Sequence, residues 1–355
     1  MVVPSCFYCF ALLFALESST IIGKRVHNVS RTSSSPVPSI VVSNYTDKSF
    51  GNASYSLKFS LPDQTYLALS HCDTNIMMNN SSTSHRVLID NQLYTFPDIE
   101  QRYFSQRISS GHWWPTTCQP RQRLAIIVSY RNRDIHLKLF LNNLNPFLQQ
   151  QQLDYTIFVV NQHDDNLFNR ARLFNIGYIE AMKLNNYTCF IFHDVDLLPE
   201  DDRNVYQCSD QPRHLAVAID KFNYQRLYAS HFGGAAALQE HDYVDVNGHS
   251  NIFEGWGGED DDFSNRVTRR LKKDIIRYPM EIARYRMIRD RGHVASTVNP
   301  NNVKILQSNY NYDLDGLSTT SYTLNNIRYY KLFTLINVTL AAVNWTQVQT
   351  ILKIS

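Results

Sequence analysis

The chain has 355 residues, of which 43% are hydrophobic and 12% aromatic, enough to bury one large core or two modest ones. Its 34 Lys and Arg residues nearly balance its 32 Asp and Glu residues, so the formal net charge is +2. No overall field of either sign points to nucleic acid or to an acidic membrane surface. Any partner must therefore be recognised at a local site.

The N-terminus carries an apolar run, VVPSCFYCFALLFAL, at residues 2–16. It is shorter than the roughly 20 apolar residues that span a bilayer comfortably, and no Lys or Arg precedes it. Residues 1–22 therefore predict either a signal-anchor or a cleaved secretory signal, and both alternatives stay open. Residues 23–60 are rich in Ser, Thr, Pro and Asn, a composition that predicts an unpacked stem.

Glycosylation sequons and cysteines also favour a secretory route. Asn-x-Ser/Thr sequons begin at Asn28, Asn44, Asn52, Asn79, Asn80, Asn186, Asn337 and Asn344. Two of the six cysteines, Cys6 and Cys9, lie in the apolar run. The remaining four permit three disulfide pairings, and their spacing does not fit a zinc site. Disulfides in an oxidising compartment are the better interpretation.

Apolar strand patterns alternate with helical patterns between residues 123 and 199. RLAIIVSYRNRD (123–134), YTIFVVNQ (155–162) and YTCFIFHDVDLLP (187–199) predict buried strands, the first ending in a polar turn. HLKLFLNNLNPFLQQQ and NRARLFNIGYIEAMKL, which lie between them, predict helices. This order predicts an α/β fold with a mostly parallel sheet covered by helices on both faces. A ligand is then expected at the carboxyl ends of the strands.

Polar side chains follow these strands. Arg131 and Arg133 suit a diphosphate or carboxylate ligand, although each could be a surface arginine. Asp194 and Asp196 close the third strand, where alternation points both to one side and Val195 to the other. Close carboxylates of this kind are commonly neutralised by a divalent cation. A lone DxD is a weak signal, but beside the arginines it predicts a metal-bound nucleotide diphosphate.

The stretch FEGWGGEDDDF at residues 253–263 combines glycines with an acidic run. Glycines allow backbone movement and Trp256 offers a flat surface, so the stretch predicts a lid over a bound ligand. A carboxylate behind the lid could act as a general base toward an acceptor hydroxyl. Two plainer interpretations stay open. The run could be a solvated face, or a loop that caps a helix with an acidic first turn.

A longer series of motifs carries a family resemblance. In chain order they are RNRDIHLKLFLNNLNPFLQQQQLDYTIFVVNQ, FNRARLFNIGY, FHDVDLLPE, QPRHLAVAIDKF, HFGGAAAL, GWGGEDDDF, YRMIRD and DGL. Their order and spacing resemble the animal β1,4-galactosyltransferases over about residues 66 to 335. The resemblance implies a single GT-A-like domain with a Rossmann-like sheet. We expect this catalytic domain at residues 61–335 and a C-terminal extension at residues 336–355.

The resemblance also implies roles for individual positions. Asp260 is similar to the family's catalytic base, and Glu259 and Asp261 belong to the same catalytic group. The residues expected to bind the UDP-sugar are Arg131, Asn132, Arg133, Phe168, Arg170, Asp194, Val195, Lys221, His231 and Trp256. Those expected at the acceptor are Gly258, Asp260, Asp261, Val303 and Leu306. The implied disulfides are Cys72–Cys118 and Cys189–Cys208.

The implied metal is manganese, with magnesium as the alternative. Asp196 and Met287 match family ligands, but the usual histidine three residues after the methionine is Asp290 here. Either Asp290 or the nearby His293 is expected to complete the site.

Other departures from the family concern the substrates. His231 stands where galactose-using members have tyrosine, which brings N-acetylgalactosamine and glucose into question as donors. Glu254 replaces a tryptophan, and Val303 falls where the family has an acceptor-pocket phenylalanine.

These features lead to an expected function. The chain is expected to move a hexose, galactose first, from a UDP-sugar to a terminal N-acetylglucosamine or glucose of a glycoprotein or glycolipid. The linkage is expected to be β1,4, formed with inversion. The alternatives are a related N-acetylgalactosaminyl- or glucosyltransferase, a weakly active sugar-binding protein, or a glycosidase using paired carboxylates. The resemblance further implies a type II Golgi membrane protein with a lumenal catalytic domain.

Overall fold

A computed structural model describes residues 68–73, 85–103, 108–289, 297–308 and 310–353. The apolar N-terminal run, the stem, Asp290 and His293 lie outside these residues. Within them, no helix has both the length and the apolar character needed to cross a bilayer.

The described residues form twelve strands and seven α-helices. The strands are β1 (His112–Trp113), β2 (Arg123–Tyr130), β3 (Asp154–Gln162), β4 (Cys189–Asp194), β5 (Leu197–Pro199), β6 (Arg213–His214), β7 (Ala218–Ile219), β8 (Ala235–Gln239), β9 (Ile276–Arg277), β10 (Arg284–Met287), β11 (Thr323–Tyr329) and β12 (Thr334–Thr339). The helices are α1 (Phe96–Arg102), α2 (Asp134–Gln150), α3 (Arg170–Leu184), α4 (Glu240–Asp245), α5 (Glu259–Arg266), α6 (Asn301–Gln307) and α7 (Trp345–Lys353).

A central sheet organises the described part of the chain. Its strands follow the order β11-β12-β3-β2-β4-β8-β6-β9, and β1 also pairs with β3. The four strands β12, β3, β2 and β4 run parallel, whereas β11 and β8 flank them in the antiparallel direction. A smaller sheet, β5-β10-β7, lies beside the end of β4. The parallel centre confirms the α/β, GT-A-like fold and places the carboxyl ends of β2 and β4 side by side.

The two faces of the sheet are covered by different helices. Ile126 and Val128 of β2 belong to the apolar cluster that includes the buried face of α2. Ile127, which points the other way along the same strand, belongs to the cluster with α3. Gly177 of α3 allows the close approach, because a Cβ there would lie 2.2 Å from Cγ2 of Ile127. The apolar runs are continuous since both faces of these strands are buried.

The C-terminal part of the chain belongs to the same fold. Strand β12 lies between β11 and β3 and crosses the boundary expected at residue 335. Ile336 and Val338 on β12 are fully buried. Residues 336–353 are therefore not an extension of the fold, because β12 supplies one of the parallel central strands.

The cysteines and sequons have different outcomes. Disulfides join Cys72 to Cys118 and Cys189 to Cys208, which confirms the expected pairing. Asn337 is only 7% exposed on β12, and its amide donates to Oδ1 of Asn326 at 2.8 Å. Its sequon is therefore inaccessible in the folded chain, whereas the sequons at Asn186 and Asn344 are exposed.

Candidate active site

A cleft of about 780 Å³ opens where β2 and β4 end. It is lined by Ser129, Arg131, Asn132, Arg133, Leu167, Phe168, Arg170, Asp194, Val195, Asp196, Lys221, Gly255, Trp256, Glu259, Asp260, Met287, Thr297 and Val298. Nine of the ten residues expected at the UDP-sugar line it, and the exception is His231. The topology explains this convergence, because parallel strands deliver their carboxyl ends to one edge of the sheet.

The aspartates of the DVD triplet reach the cleft by a route that strand alternation does not describe. Strand β4 ends at Asp194, and the next two residues form a turn into β5. In the antiparallel register of β5 with β10, Met287 lies opposite Leu197, and the Ile288 amide donates to the Asp196 carbonyl at 2.8 Å. Asp196 and Met287 are thus neighbours only because of this second sheet.

These two residues fit part of a divalent-cation site. A carboxylate oxygen and a thioether sulfur face one cleft beside a second carboxylate, Asp194. The described residues hold no cluster of three or more His, Cys, Asp or Glu side chains suited to a metal. Both candidates for a further ligand, Asp290 and His293, lie outside the described residues.

Arg170, the first residue of α3, joins two carboxylates of the cleft that come from different elements. Its Nε donates to Oδ1 of Asp194 and its Nη1 to Oδ1 of Asp260, each at 2.6 Å. Oε1 of Glu259 lies 3.8 Å from the same Nη1. Arg170 was expected at the nucleotide, but here it orients carboxylates from two separate elements. The fork geometry of a guanidinium makes this double contact possible.

Burial strongly affects the carboxyl groups of the cleft. Burial raises the pKa of Asp194 to about 7, and the charges of Asp196 and Asp260 add to that effect while Arg170 opposes it. Burial and the neighbouring Asp260 charge likewise raise the pKa of Glu259 to about 7, again opposed by Arg170. Clustered carboxyls with shifted pKa values are typical of functional sites.

The acidic run begins helix α5 and has two different faces. Gly258 precedes the helix with a φ of 89°, a conformation that favours glycine. Asp260 faces the cleft, whereas Asp262 is 2% exposed and accepts from Nε of Arg266 at 2.6 Å. The run is therefore no solvated surface. It forms the acidic first turn of α5, and Glu259 and Asp260 of the same turn also line the cleft.

The glycine-rich loop, residues 254–258, covers one side of the cleft. Trp256 lines the cleft and remains 59% exposed. The Gly255 amide donates to the Phe168 carbonyl and the Trp256 amide to the Thr297 carbonyl, both at 2.8 Å. The loop is thus hydrogen-bonded on both flanks in this structure.

His231 lies behind Asp260 rather than along the cleft. It is 9% exposed, and its ring centre lies 5.2 Å from that of His214. Its Nδ1 is buried without a hydrogen-bond partner among the described residues. Gly233 lies between it and Asp260, because a Cβ on Gly233 would be 2.3 Å from Oδ2 of Asp260 and 3.1 Å from Nε2 of His231.

The expected acceptor residues lie on two neighbouring elements. Gly258 precedes α5, and Asp260 and Asp261 lie in its first turn. Val303 is 56% exposed and Leu306 is half-buried against a separate apolar cluster; both lie on α6, where the side-chain amide of Asn302 donates to the Gly257 carbonyl at 2.7 Å. Sequence analysis missed Tyr228, whose hydroxyl donates to Oδ1 of Asp261 at 2.7 Å. No periodicity or motif marks Tyr228, so only the fold identifies it.

Carboxylates and arginines that converge at the strand ends of a GT-A-like fold define a glycosyltransferase. Residues 75–209 match the family profile described as the N-terminal region of glycosyl transferase group 7. Residues 213–293 match the N-terminal domain of galactosyltransferase. β-1,4-Galactosyltransferase 4 of Rattus norvegicus is 42% identical over 269 residues, which are 74% of this chain and 77% of the rat protein. The chain belongs to the β-1,4-galactosyltransferase family and is a galactosyltransferase-like enzyme.

Solved structures agree with this assignment. The catalytic domain of Drosophila β1,4-galactosyltransferase 7, in complex with xylobiose, is 27% identical with a TM-score of 0.56. A mutant of the same enzyme, in complex with manganese, UDP-Gal and xylobiose, is 26% identical with a TM-score of 0.55. Each match covers 64% of this chain and 98% of the Drosophila chain.

Proposed function

We propose that the chain transfers galactose from UDP-galactose to the 4-hydroxyl of a terminal N-acetylglucosamine or glucose, with inversion at the anomeric carbon. The observation that carries this proposal is the pair of 2.6 Å contacts by which Arg170 links Asp194 to Asp260. These contacts hold two carboxylates at one cleft. Asp194 is the one nearest the expected donor, and Asp260 is the expected base. A relative's complex with manganese and UDP-Gal supports the same donor and metal here.

In this mechanism Asp260 accepts the proton of the acceptor hydroxyl. The hydroxyl oxygen forms a bond to the anomeric carbon while the bond from that carbon to the UDP oxygen breaks, and UDP leaves with the electron pair. Arg170 fixes the direction of the Asp260 carboxylate. A divalent cation held by Asp196 and Met287 would supply positive charge for the departing diphosphate.

The nucleotide side of the cleft is preorganised by contacts within the chain. Nη1 of Arg131 donates to the Asn166 carbonyl at 2.6 Å, and its guanidinium lies over the Phe168 ring, 5.3 Å from the centroid. These contacts hold a positive charge at the strand end, where a diphosphate would bind. We assign Arg131, Asn132 and Arg133 to the nucleotide.

A different donor sugar is the second candidate function. A smaller imidazole at His231 stands beside Gly233 and the catalytic carboxylates, and its Nδ1 has no partner among the described residues. Because this position tunes the donor sugar in the family, UDP-N-acetylgalactosamine and UDP-glucose are the other donors to test. A sugar-binding protein without catalysis is disfavoured, because the Asp194–Arg170–Asp260 arrangement is complete.

We further propose that the enzyme acts in the Golgi lumen, on glycoproteins or glycolipids, anchored through residues 1–22. Two disulfides and the exposed sequons at Asn186 and Asn344 support an oxidising, glycosylating compartment. Localisation of the tagged full-length chain against Golgi markers tests this proposal.

The test of the activity uses protein secreted without residues 1–60. It is incubated with UDP-galactose, UDP-N-acetylgalactosamine or UDP-glucose and with acceptors that end in N-acetylglucosamine or glucose, in manganese, magnesium or chelator. We expect galactose transfer that stops with chelator, and NMR of the product gives linkage and anomeric configuration. Asp260→Asn should lower kcat by about 10² to 10⁴-fold without changing the fold. Normal turnover by folded Asp260→Asn would falsify the assignment of the base.

A further inference from the structure

The C-terminal segment, residues 343–353, packs beneath the glycine-rich loop. Its helix α7 is capped by Asn344, whose Oδ1 accepts from the amides of Thr346 and Gln347 at 3.0 and 3.3 Å. Val348 and Ile351 form the buried face of α7, at 1% and 8% exposure. They belong to an apolar cluster separate from both faces of the central sheet, whose other buried members are Ile252, Phe253, Ile305 and Tyr310.

Phe253 connects this cluster to the catalytic helix. A Cβ on Gly258 would lie 2.9 Å from Cε1 of Phe253, so the ring lies directly against the residue that precedes α5. Asp260 lies in the first turn of α5. Displacement of Phe253 would therefore move the backbone from which the base projects.

Glu254 makes a second connection, through polar contacts. Its side chain is buried, and Oε2 accepts from the Val343 amide at 3.3 Å. Burial raises the pKa of this carboxyl, and the Val343 amide and the Trp345 side chain oppose that rise as nearby donors. Its backbone carbonyl accepts from the side-chain amides of Asn299 and Asn302 at 3.0 and 3.2 Å. A buried carboxylate is costly unless donors satisfy it, and the C-terminal segment supplies the Val343 amide and brings the Trp345 side chain close.

We propose that the C-terminal segment fixes the root of the glycine-rich loop, with Glu254 and Trp345 as positioning residues for Asp260. The inference deepens the proposed function and rests on it. Neither residue reaches the reacting atoms. They act by holding Phe253 and Glu254, at the root of the loop, in the conformation that orients α5.

The main test compares Glu254→Ala and Trp345→Phe with wild type. Phenylalanine keeps the ring packing of Trp345 but has no N–H to donate. Glu254→Gln keeps an acceptor oxygen and should restore most of the activity lost in Glu254→Ala. Gln349→Ala is the matched control, because Gln349 is exposed on the same helix.

We expect kcat for transfer to fall about tenfold or more in Glu254→Ala, since a displacement of ~1 Å can cost on the order of 10²-fold. Trp345→Phe should show a smaller loss. The KM for the UDP-sugar should change much less than kcat, because the residues expected to bind the donor, apart from Trp256, lie on other elements. An equal loss of donor binding, with a general fall in melting temperature, would show a merely structural role and overturn the proposal.

Hydrogen exchange gives a readout that does not depend on activity. The amides of Gly255 and Trp256 should exchange faster in Glu254→Ala and Trp345→Phe but not in Gln349→Ala, while the central strands keep their protection. Unchanged exchange together with unchanged kcat overturns the proposal. If wild type transfers no sugar at all, the proposed function fails, and faster local exchange would still support the structural connection.

Discussion

Replacing Arg170 by alanine should destabilise the protein and disable transfer together. Arg170 contacts Asp194 and Asp260 at 2.6 Å each, and these three side chains are 13%, 26% and 30% exposed in that order. Removing one partner of a fully buried ion pair costs about 3–5 kcal/mol. Solvent reaches these groups in part, so we expect a loss of about 2–4 kcal/mol in the free energy of unfolding.

The catalytic effect follows from the same contacts. Without the guanidinium, nothing described in the cleft holds Oδ1 of Asp260, and kcat should fall by about 10²-fold or more. Arg170→Lys keeps the charge but replaces a planar fork by a point charge that cannot make both 2.6 Å contacts. We expect Arg170→Lys to retain a larger share of the wild-type stability than of the wild-type kcat.

The loss of stability in Arg170→Ala should depend on pH. The guanidinium lowers the pKa of Asp194 and of Glu259, so without it both carboxyls hold their protons to higher pH. Protonation removes the repulsion between these carboxylates. The difference in the free energy of unfolding between Arg170→Ala and wild type should therefore shrink toward about pH 5 and grow toward about pH 8. Urea denaturation in the presence of chelator, at both pH values, measures this difference. A variant with wild-type stability at about pH 8 and normal kcat would refute this account of Arg170.

Three further predictions concern positions near the cleft. Gly233→Ala should fold but lose about tenfold or more in kcat, because its Cβ would lie 2.3 Å from Oδ2 of Asp260 and push the base aside. Gly234→Ala should instead lower the melting temperature, since Gly234 has a φ of +81° and its Cβ would meet Leu197 at 2.7 Å. Burial raises the pKa of Glu259 to about 7, so the folded state favours the neutral form of this carboxyl. The contribution of Glu259 to stability should therefore be present below about pH 4.5 and be lost as the pH rises through about 7. Thermal melts with chelator should show a smaller fall in melting temperature with rising pH in Glu259→Gln than in wild type. Unchanged pH dependence in Glu259→Gln would show that other groups cause it.

Much of the fold could be predicted because local patterns encode it, and most residues that line the cleft could be predicted from the family motifs. Continuous apolar runs mark strands buried on both faces, so β2, β3 and β4 and the helices between them fall where the sequence predicts. The C-terminal boundary expected at residue 335, where the family resemblance ends, was wrong because it cuts β12. Its pairing with β3, about 175 residues earlier, has no local signal.

The amino-acid sequence by itself determined the order of strands and helices, the acidic and glycine-rich motifs, and the family to which the chain belongs. Only the tertiary structure decided that Arg170 bridges Asp194 and Asp260, that β10 places Met287 beside Asp196, and that Glu254 meets the C-terminal segment. These contacts join residues tens of positions apart. Side-chain periodicity reports only which face of an element is buried, whereas a contact between elements depends on how the whole sheet is assembled.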